Sequence, residues 1–486
     1  MYLDYGLWVL VINKNKNLIG FYFRKYAWES ALAFLFHYNN RYSINNFMIR
    51  LLIILFVFAV ANDSKANSSR PNIILIMCDD LGWGDVGFNG NKIIKTPHLD
   101  TMANSGIKFD RFYAAAPVCS PTRGSALTGR HPFRYGIYYA NTGHMKKKEL
   151  TIAEIMKTKG YRTGHFGKWH LGTLTTKIKD ANRGGPKGAK HYSPPQQNGF
   201  DICFSTESKV PTWDPMLVPK KFSNGASRKK WWNPVTDTKK TDHYGTQYWD
   251  QNGKTVTENL RGSNSRVIMD RAIPFIKNSL KSKSPFFTVI WFHTPHLPVI
   301  AGPKYTKMYQ SFSKYQQHYF GCITAMDEQI GRLRKTLKEE DAHRNTMIWF
   351  CSDNGPEGNE SAPGKTGGFR GRKRSLYEGG IRVPALLEWP AKITKQNTIN
   401  CPAGTIDYLP TILSSLDIKL PDQRPIDGIN LIPIITNKVK FRGKAIGFQS
   451  NSVASLITDR YKTVSYTHLR AHETGRNLVC RLLLEK

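Results

Sequence analysis

Cys119 stands in the run Ala116-Pro117-Val118-Cys119-Ser120-Pro121-Thr122-Arg123, whose core is Cys-x-Pro-x-Arg. Proline suits a first helical turn, because the amide hydrogen it lacks would be unsatisfied there anyway. With Thr122 to Gly129 expected as helix, a nucleophile at 119 would face a helix N-terminus, where the dipole and free N–H groups stabilise an anion. Arg123, one turn on, offers a planar donor fork. Asp79 and Asp80 lie upstream, and Asp353-Asn354-Gly355 downstream. Asp79, Asp80, Asp353 and Asn354 are hard oxygen ligands, a set that suits Ca2+ or Mg2+ and not zinc. Adjacent aspartates more often cap a helix or face water, so the pair gains meaning only in company. Lys168, His170, His293, His296 and Lys373 complete the set. A sulfate or phosphate ester needs cations on its nonbridging oxygens and an acid for its leaving group. Together these groups predict a hydrolase that uses one divalent cation and a nucleophile made from a cysteine. A plain thiolate is the alternative, but no Cys–His–Asn signature accompanies Cys119.

The elements that must bring these residues together follow an alternating pattern. Asn72 to Cys78 (NIILIMC) is a continuous apolar, β-prone run, which suits a strand covered on both faces. Arg162 to Phe166, Phe286 to Phe292 and Thr346 to Cys351 read as further strands. Thr151-Ile152-Ala153-Glu154 is a capping box, opening a helix with an Ile152, Ile155, Met156 stripe that ends at Gly160. His318 to Glu340 reads as a long amphipathic helix, and Thr405 to Leu416 as another. Strands alternating with helices predict an α/β fold: a large, mostly parallel sheet sandwiched by helices. Asp79-Asp80, Gly167 to His170, His293 to His296 and Ser352 to Gly355 each follow the carboxyl end of a strand, the edge where open α/β sheets bind ligands. Lys177 to Lys254, rich in Gly, Pro, Lys and Trp, reads as a long insertion over the site. Its Trp213, Trp231, Trp232 and Trp249 would either stack on sugar rings or anchor the loop to the body.

At 486 residues and a formal net charge of +34 the chain favours polyanionic partners. The basic residues fall in short runs without helix-turn-helix or zinc-finger spacing, so a nucleic-acid partner is not expected and a sulfated polysaccharide is. A lysine-rich solvated surface is the plainer reading of the same charge. Seven cysteines without short spacings exclude a disulfide scaffold, and no Cys-x-x-Cys pair marks zinc. Cys78 and Cys351 read as small buried hydrophobes, with a bridge between them as the alternative. Met48-Ile49-Arg50, the apolar run Leu51 to Val60 and Ser64-Lys65-Ala66 make a secretory signal over 48–66. The run is too short for a membrane span, so a secreted or periplasmic protein without stable membrane insertion is expected. Residues 1–47 then lie upstream of the true start. The catalytic domain is expected over 67–437, and Arg442 to Val464 begins a small, truncated antiparallel β subdomain, placed at 438–463. Val464 to Thr474 (VSYTHLRAHET) is obtainable by translating a transposon-end adapter from sequencing libraries, so 464–486 is expected to be a non-native tail.

From Pro71 to Val464 the chain resembles the type I, formylglycine-dependent sulfatases of the alkaline phosphatase superfamily. The resemblance rests on CSPTR (119–123), GYRTGHFGKWHLG (160–172), HTPH with Pro298, SDNG (352–355) and RGRKRSLYEGGIRVP (370–384), all in family order. It implies an alkaline phosphatase-like fold and an arylsulfatase-type activity akin to N-acetylgalactosamine-6-sulfatase. It further implies that Cys119 is converted to formylglycine by a formylglycine-generating enzyme, and that its hydrated aldehyde is the nucleophile. By the same resemblance Asp79, Asp80, Asp353 and Asn354 join residue 119 in binding Ca2+, and Arg123 and Lys168 support the hydrate. Asp353 resembles the base that activates it, and His170 the base that collapses the sulfated hemiacetal. His296 and Lys373 would contact sulfate and help the alcohol depart, whereas His293 matches no catalytic position. The basic stretch Arg370, Arg372, Lys373, Arg374 departs from the family's small residues and hints at a multiply charged substrate. Two other readings stand beside the sulfatase: a phosphomonoester or phosphonate hydrolase of the same superfamily, and a non-catalytic binder of sulfated glycans.

Overall fold

The structure, a computed structural model, describes residues 70–465. The expected signal segment 48–66, the upstream stretch 1–47 and all but the first two residues of the expected tail 464–486, Cys480 included, lie outside the described residues. A ten-stranded sheet runs in the order Asn397–Ile399, Ile107–Phe109, Leu386–Glu388, Thr346–Ser352, Asn72–Cys78, Phe286–Trp291, Arg162–Lys168, Ile202–Thr206, Tyr248–Asp250, Thr255–Val256. The five strands from Thr346–Ser352 to Ile202–Thr206 are mutually parallel, and the short strands Leu386–Glu388 and Tyr248–Asp250 pair antiparallel to the two ends of that block.

The central strand is apolar throughout because both of its faces are covered. Ile74, Ile76 and Cys78 pack beneath the helices Pro97–Ser105, Asn264–Lys281 and Lys314–Glu339. Ile73, Leu75 and Met77 pack beneath Cys119–Thr128, Ile152–Thr158 and Tyr408–Ser415. Each fully buried side chain of this kind contributes about 1.5–3 kcal/mol from area removed from water. The same alternation excludes a Cys78–Cys351 bridge. Cys351 is in register with Met77 and shares its face, whereas Cys78 lies on the other, and both are free thiols.

Local signals set the helix ends. Thr151 and Glu154 form the expected capping box, and the chain leaves the helix through Gly160 at φ +77. The long helix starts at Lys314 rather than His318, because Ser313 and Gln316 form a second capping box. The helix after the nucleophile starts at Cys119 itself, three residues earlier than expected, and Gly129 closes it in the left-handed region.

The stretch 177–254 is not an insertion alone. Ile202–Thr206 is the fifth parallel strand, with Lys168 opposite Thr206. Its polar, glycine-flanked setting hid it. The tryptophans anchor the surrounding loops: Trp231 stacks on His318, Trp249 donates to Asp180 at 2.8 Å, Trp232 meets Phe222, and Trp213 meets Tyr305. After residue 440 a three-stranded antiparallel sheet (Ile446–Ser450, Val453–Ile457, Lys462–Ser465) packs through Ile446, Phe448 and Ile457 against Tyr113, Ile381 and Ile406. The buried Arg442–Asp407 pair, at 2.6 Å, ties it to the body.

Candidate active site

Backbone pairing delivers the site residues to one edge of the sheet. Asp79 follows the central strand and its N–H donates to the carbonyl of Thr294 at 3.0 Å, while Asp353 N–H donates to Cys78 at 3.1 Å. Asp80 adopts φ +67. That left-handed turn is costly for a residue with a Cβ, and it turns the chain at the end of the strand so that both carboxylates enter the site. Lys168 ends its own strand. The preceding Gly167, at φ +111, runs so close to the carbonyl of Trp291 that a Cβ would collide with it. His170 follows at φ +57.

The side chains interlock. Arg123, fully buried, donates to Asp353 Oδ2 from Nε (3.1 Å) and a terminal nitrogen (2.6 Å), donates to the carbonyl of Lys168 (3.1 Å), and lies over the Trp291 ring. Lys168 Nζ donates to Asp79 Oδ2 at 2.6 Å. Lys373 Nζ meets both oxygens of Asp80, at 2.7 and 2.8 Å, and reaches Glu357 at 3.4 Å. Asn354 Nδ2 donates to Asp80 Oδ1 at 2.7 Å. Cys119 Sγ lies 3.2 Å from Nδ1 of His170, whose Nε2 lies 2.8 Å from Asn141 Oδ1. His296 donates from Nδ1 to the carbonyl of Leu297, leaving Nε2 toward Asp80 Oδ2 at 3.6 Å. All ten residues expected at the site therefore share it. His293 does not. It is buried against Thr206 and the Tyr248 ring.

Three carboxylates this deep need compensation. Burial pushes Asp79 up, but Lys168, His296, Arg123 and Lys373 together hold it well below the usual range. Burial and the charge of Asp79 push Asp353 up to about 7 against the pull of Arg123 and Lys168. Burial likewise raises Asp80 despite Lys373. Among the candidate oxygen ligands, Asp79 Oδ1 and Asn354 Oδ1 are buried without a partner. Donor atoms of Asp79, Asp80 and His296 lie within 4.8 Å of one another, as do those of Asp79, Cys119 and Asp353. Orphaned hard oxygens beside clustered carboxylates fit a divalent cation that prefers oxygen. Burial also pushes the Cys119 thiol up, so a plain thiolate is disfavoured in this pocket. Burial, with Lys168 beside it, holds His170 well below its ordinary value, and burial with Lys373 does the same to His296.

Sequence reasoning passed over Asn141, Glu357 and Lys209. None lies in a recognisable spacing. Each comes to the site on a loop whose course depends on the rest of the fold.

The family model described as Sulfatase matches residues 71–418, and one described as N-sulphoglucosamine sulphohydrolase, C-terminal, matches 367–471. The chain is similar to arylsulfatase G of Rattus norvegicus, 30% identical over 437 residues, covering 84% of this chain and 78% of that protein. It is 29% identical to N-acetylgalactosamine-6-sulfatase of Mus musculus over 421 residues, covering 83% and 73%. Among solved structures it is similar to Ps i-CgsB in complex with k-i-k-neocarrahexaose, at TM-score 0.68 and 26% identity, covering 85% and 90%. Among the described residues no helix is long and apolar enough to cross a membrane. Given these matches and a cysteine-centred, carboxylate-lined site at the sheet edge, the chain belongs to the sulfatase family and is a sulfuric ester hydrolase.

Proposed function

We propose that this sulfatase acts on sulfate esters of carbohydrates, with Cys119 oxidised to formylglycine during maturation and Ca2+ held by Asp79, Asp80, Asp353, Asn354 and residue 119. The observation that carries this reading is the pair of orphaned buried oxygens, Asp79 Oδ1 and Asn354 Oδ1, beside a residue 119 that opens a helix. Relatives named for a sulfated amino sugar and a structure bound to a neocarrahexaose support a carbohydrate substrate. Bound Ca2+ would supply a Lewis acid for the ester's nonbridging oxygens, and a hydrated aldehyde would supply one hydroxyl to attack sulfur and a second to expel sulfate. A maturation enzyme that generates formylglycine is the implied partner. The pattern over Met48 to Ala66 supports export to the periplasm or the medium.

The chain's own residues divide the remaining work. Asp353, whose carboxylate lies within 4.8 Å of the side chain at 119, is placed to take a proton from the nucleophile. Arg123 holds that carboxylate in place. His170 presents Nδ1 to residue 119 and receives the proton released when sulfate departs. Lys168 and Lys373 place positive charge where the sulfuryl oxygens gather negative charge. His296, which burial and Lys373 hold well below its ordinary value, keeps Nε2 toward the site, where it would contact the sulfate and assist the departing alcohol.

The test is sulfate release from 4-nitrophenyl sulfate by matured protein, beside the same assay on 4-nitrophenyl phosphate. Cys119→Ala is expected to abolish turnover, and the tryptic peptide spanning 119 is expected to carry an aldehyde. Full activity in Cys119→Ala, or phosphate turned over in preference to sulfate, would sink the reading.

A further inference from the structure

Around the site the cations are matched to acceptors, with one exception. Arg123 binds Asp353, Lys168 binds Asp79, and Lys373 binds Asp80. At the rim Arg374 clamps Glu357 through bonds of 2.6 and 2.9 Å, and Arg183 binds Glu207 at 2.8 Å. Arg370 lies over the Tyr377 ring, and Arg372 donates to the carbonyls of Glu357 and Gly364. The basic run 370–374, which as sequence hinted at a multiply charged substrate, is therefore committed to contacts within the protein.

Lys209 is the exception. Among the described residues its ammonium has no hydrogen bond and no carboxylate partner. It is half-buried, and it interacts electrostatically with Asp79, Asp80, Lys168, Lys373 and His296. Its backbone is held in place. Lys168 and Thr206 are register partners, and His170 N–H donates to the carbonyl of Glu207 at 3.0 Å. Thr206 Oγ1 donates to the carbonyl of Ser208 at 2.7 Å, and Thr246 Oγ1 to that of Lys209 at 3.3 Å. A lysine on a free surface would extend into water. One fixed beside an anion site and partly desolvated, without a counter-ion, is positioned for an anion that arrives with the ligand. In the mechanism proposed above, the scissile sulfate would be served by Lys168, Lys373 and the divalent cation.

We propose that Lys209 is a specificity-determining residue that binds a second oxyanion of the substrate, a further sulfate or a carboxylate near the scissile ester. This rests on the carbohydrate reading given above. The test is kcat/KM for sulfate release from three sugars: one monosulfated and otherwise neutral, one disulfated, and one carrying a sulfate and a carboxylate. Wild type, Lys209→Met, Lys209→Gln and Lys209→Arg are compared after checking that each unfolds at the wild-type temperature, and a neutral variant that does not is replaced by the other. In the neutral variants the preference for a doubly charged sugar over the neutral one is expected to fall at least about tenfold, mainly through KM. Lys209→Arg is expected to keep most of it. Which doubly charged sugar responds identifies the oxyanion. An equal loss on all three sugars overturns the inference, because Lys209 then serves the scissile sulfate, and an unchanged preference overturns it as well. Wild type that turns over 4-nitrophenyl sulfate but none of the sugars overturns the carbohydrate reading, and this inference with it.

Discussion

Replacing Asn141 with alanine tests how His170 is held ready as a base. Asn141 Oδ1 lies 2.8 Å from His170 Nε2 and also accepts from Asn182 Nδ2 at 2.9 Å. An oxygen that accepts from both assigns the hydrogen to Nε2 and leaves the lone pair on Nδ1, which lies 3.2 Å from Cys119 Sγ. Burial and Lys168 keep the ring neutral, so tautomer rather than charge decides whether a base faces residue 119. A neutral hydrogen bond contributes about 0.5–1.5 kcal/mol net. Asn141 is exposed, so water partly replaces the lost acceptor and the lower half of that range applies. A loss of about 0.5–1 kcal/mol is a factor of roughly 2–5 in kcat. The assay is kcat and KM on 4-nitrophenyl sulfate across the pH range. Asn141→Asp keeps an acceptor, so kcat is expected to stay near wild type. Its added carboxylate favours the imidazolium and moves the His170 limb of the profile to higher pH. Wild-type kcat in Asn141→Ala, or a loss confined to KM, would refute the reasoning.

Two further outcomes are expected. Glu388 is buried and accepts from Arg334 at 2.7 and 2.9 Å and from Ser105 at 2.8 Å. Although burial opposes it, His343 and Arg334 hold its carboxyl down to about 2 from 4.5. A depressed folded value contributes stability that is present above about 4.5 and lost as the pH falls through about 2, here about 3 kcal/mol. Urea unfolding of Glu388→Gln should therefore show that deficit at pH 7 and little of it near pH 2, and an equal deficit at both would count against the ion pair. Chelation with EGTA should abolish sulfate release, and added Ca2+ should restore it. Because Asp353 must give up its proton to serve as a ligand, Ca2+ affinity measured by calorimetry should weaken as the pH drops below about 7; affinity that does not change with pH would exclude that carboxylate from the set.

Runs long enough to show a period were readable without coordinates. NIILIMC is apolar at every position because helices cover both sides of the strand, and the Thr151–Glu154 box marks its helix by local hydrogen bonding alone. Ile202–Thr206 and Leu386–Glu388 escaped notice. They are short, and the second ends in a buried glutamate whose acceptability depends on Arg334 from the helix Lys314–Glu339. Cys78 and Cys351 were ambiguous in sequence, since only the register of two parallel strands shows that they point to opposite faces.

Chemical identity resided in the sequence: Cys-x-Pro-x-Arg, the oxygen ligands and the Lys-Trp-His run are recognisable because a reaction at sulfur needs those groups whatever surrounds them. Balance of charge and placement of protons belonged to the tertiary structure. Which cation neutralises which carboxylate, why burial and Asp79 push Asp353 up while its cationic neighbours hold Asp79 far below, and why Lys209 is left without a counter-ion while Lys168 and Lys373 are paired, all depend on distances of a few ångströms between residues tens to hundreds of positions apart. Coulomb energies and desolvation vary steeply over such distances, and linear spacing carries no record of them.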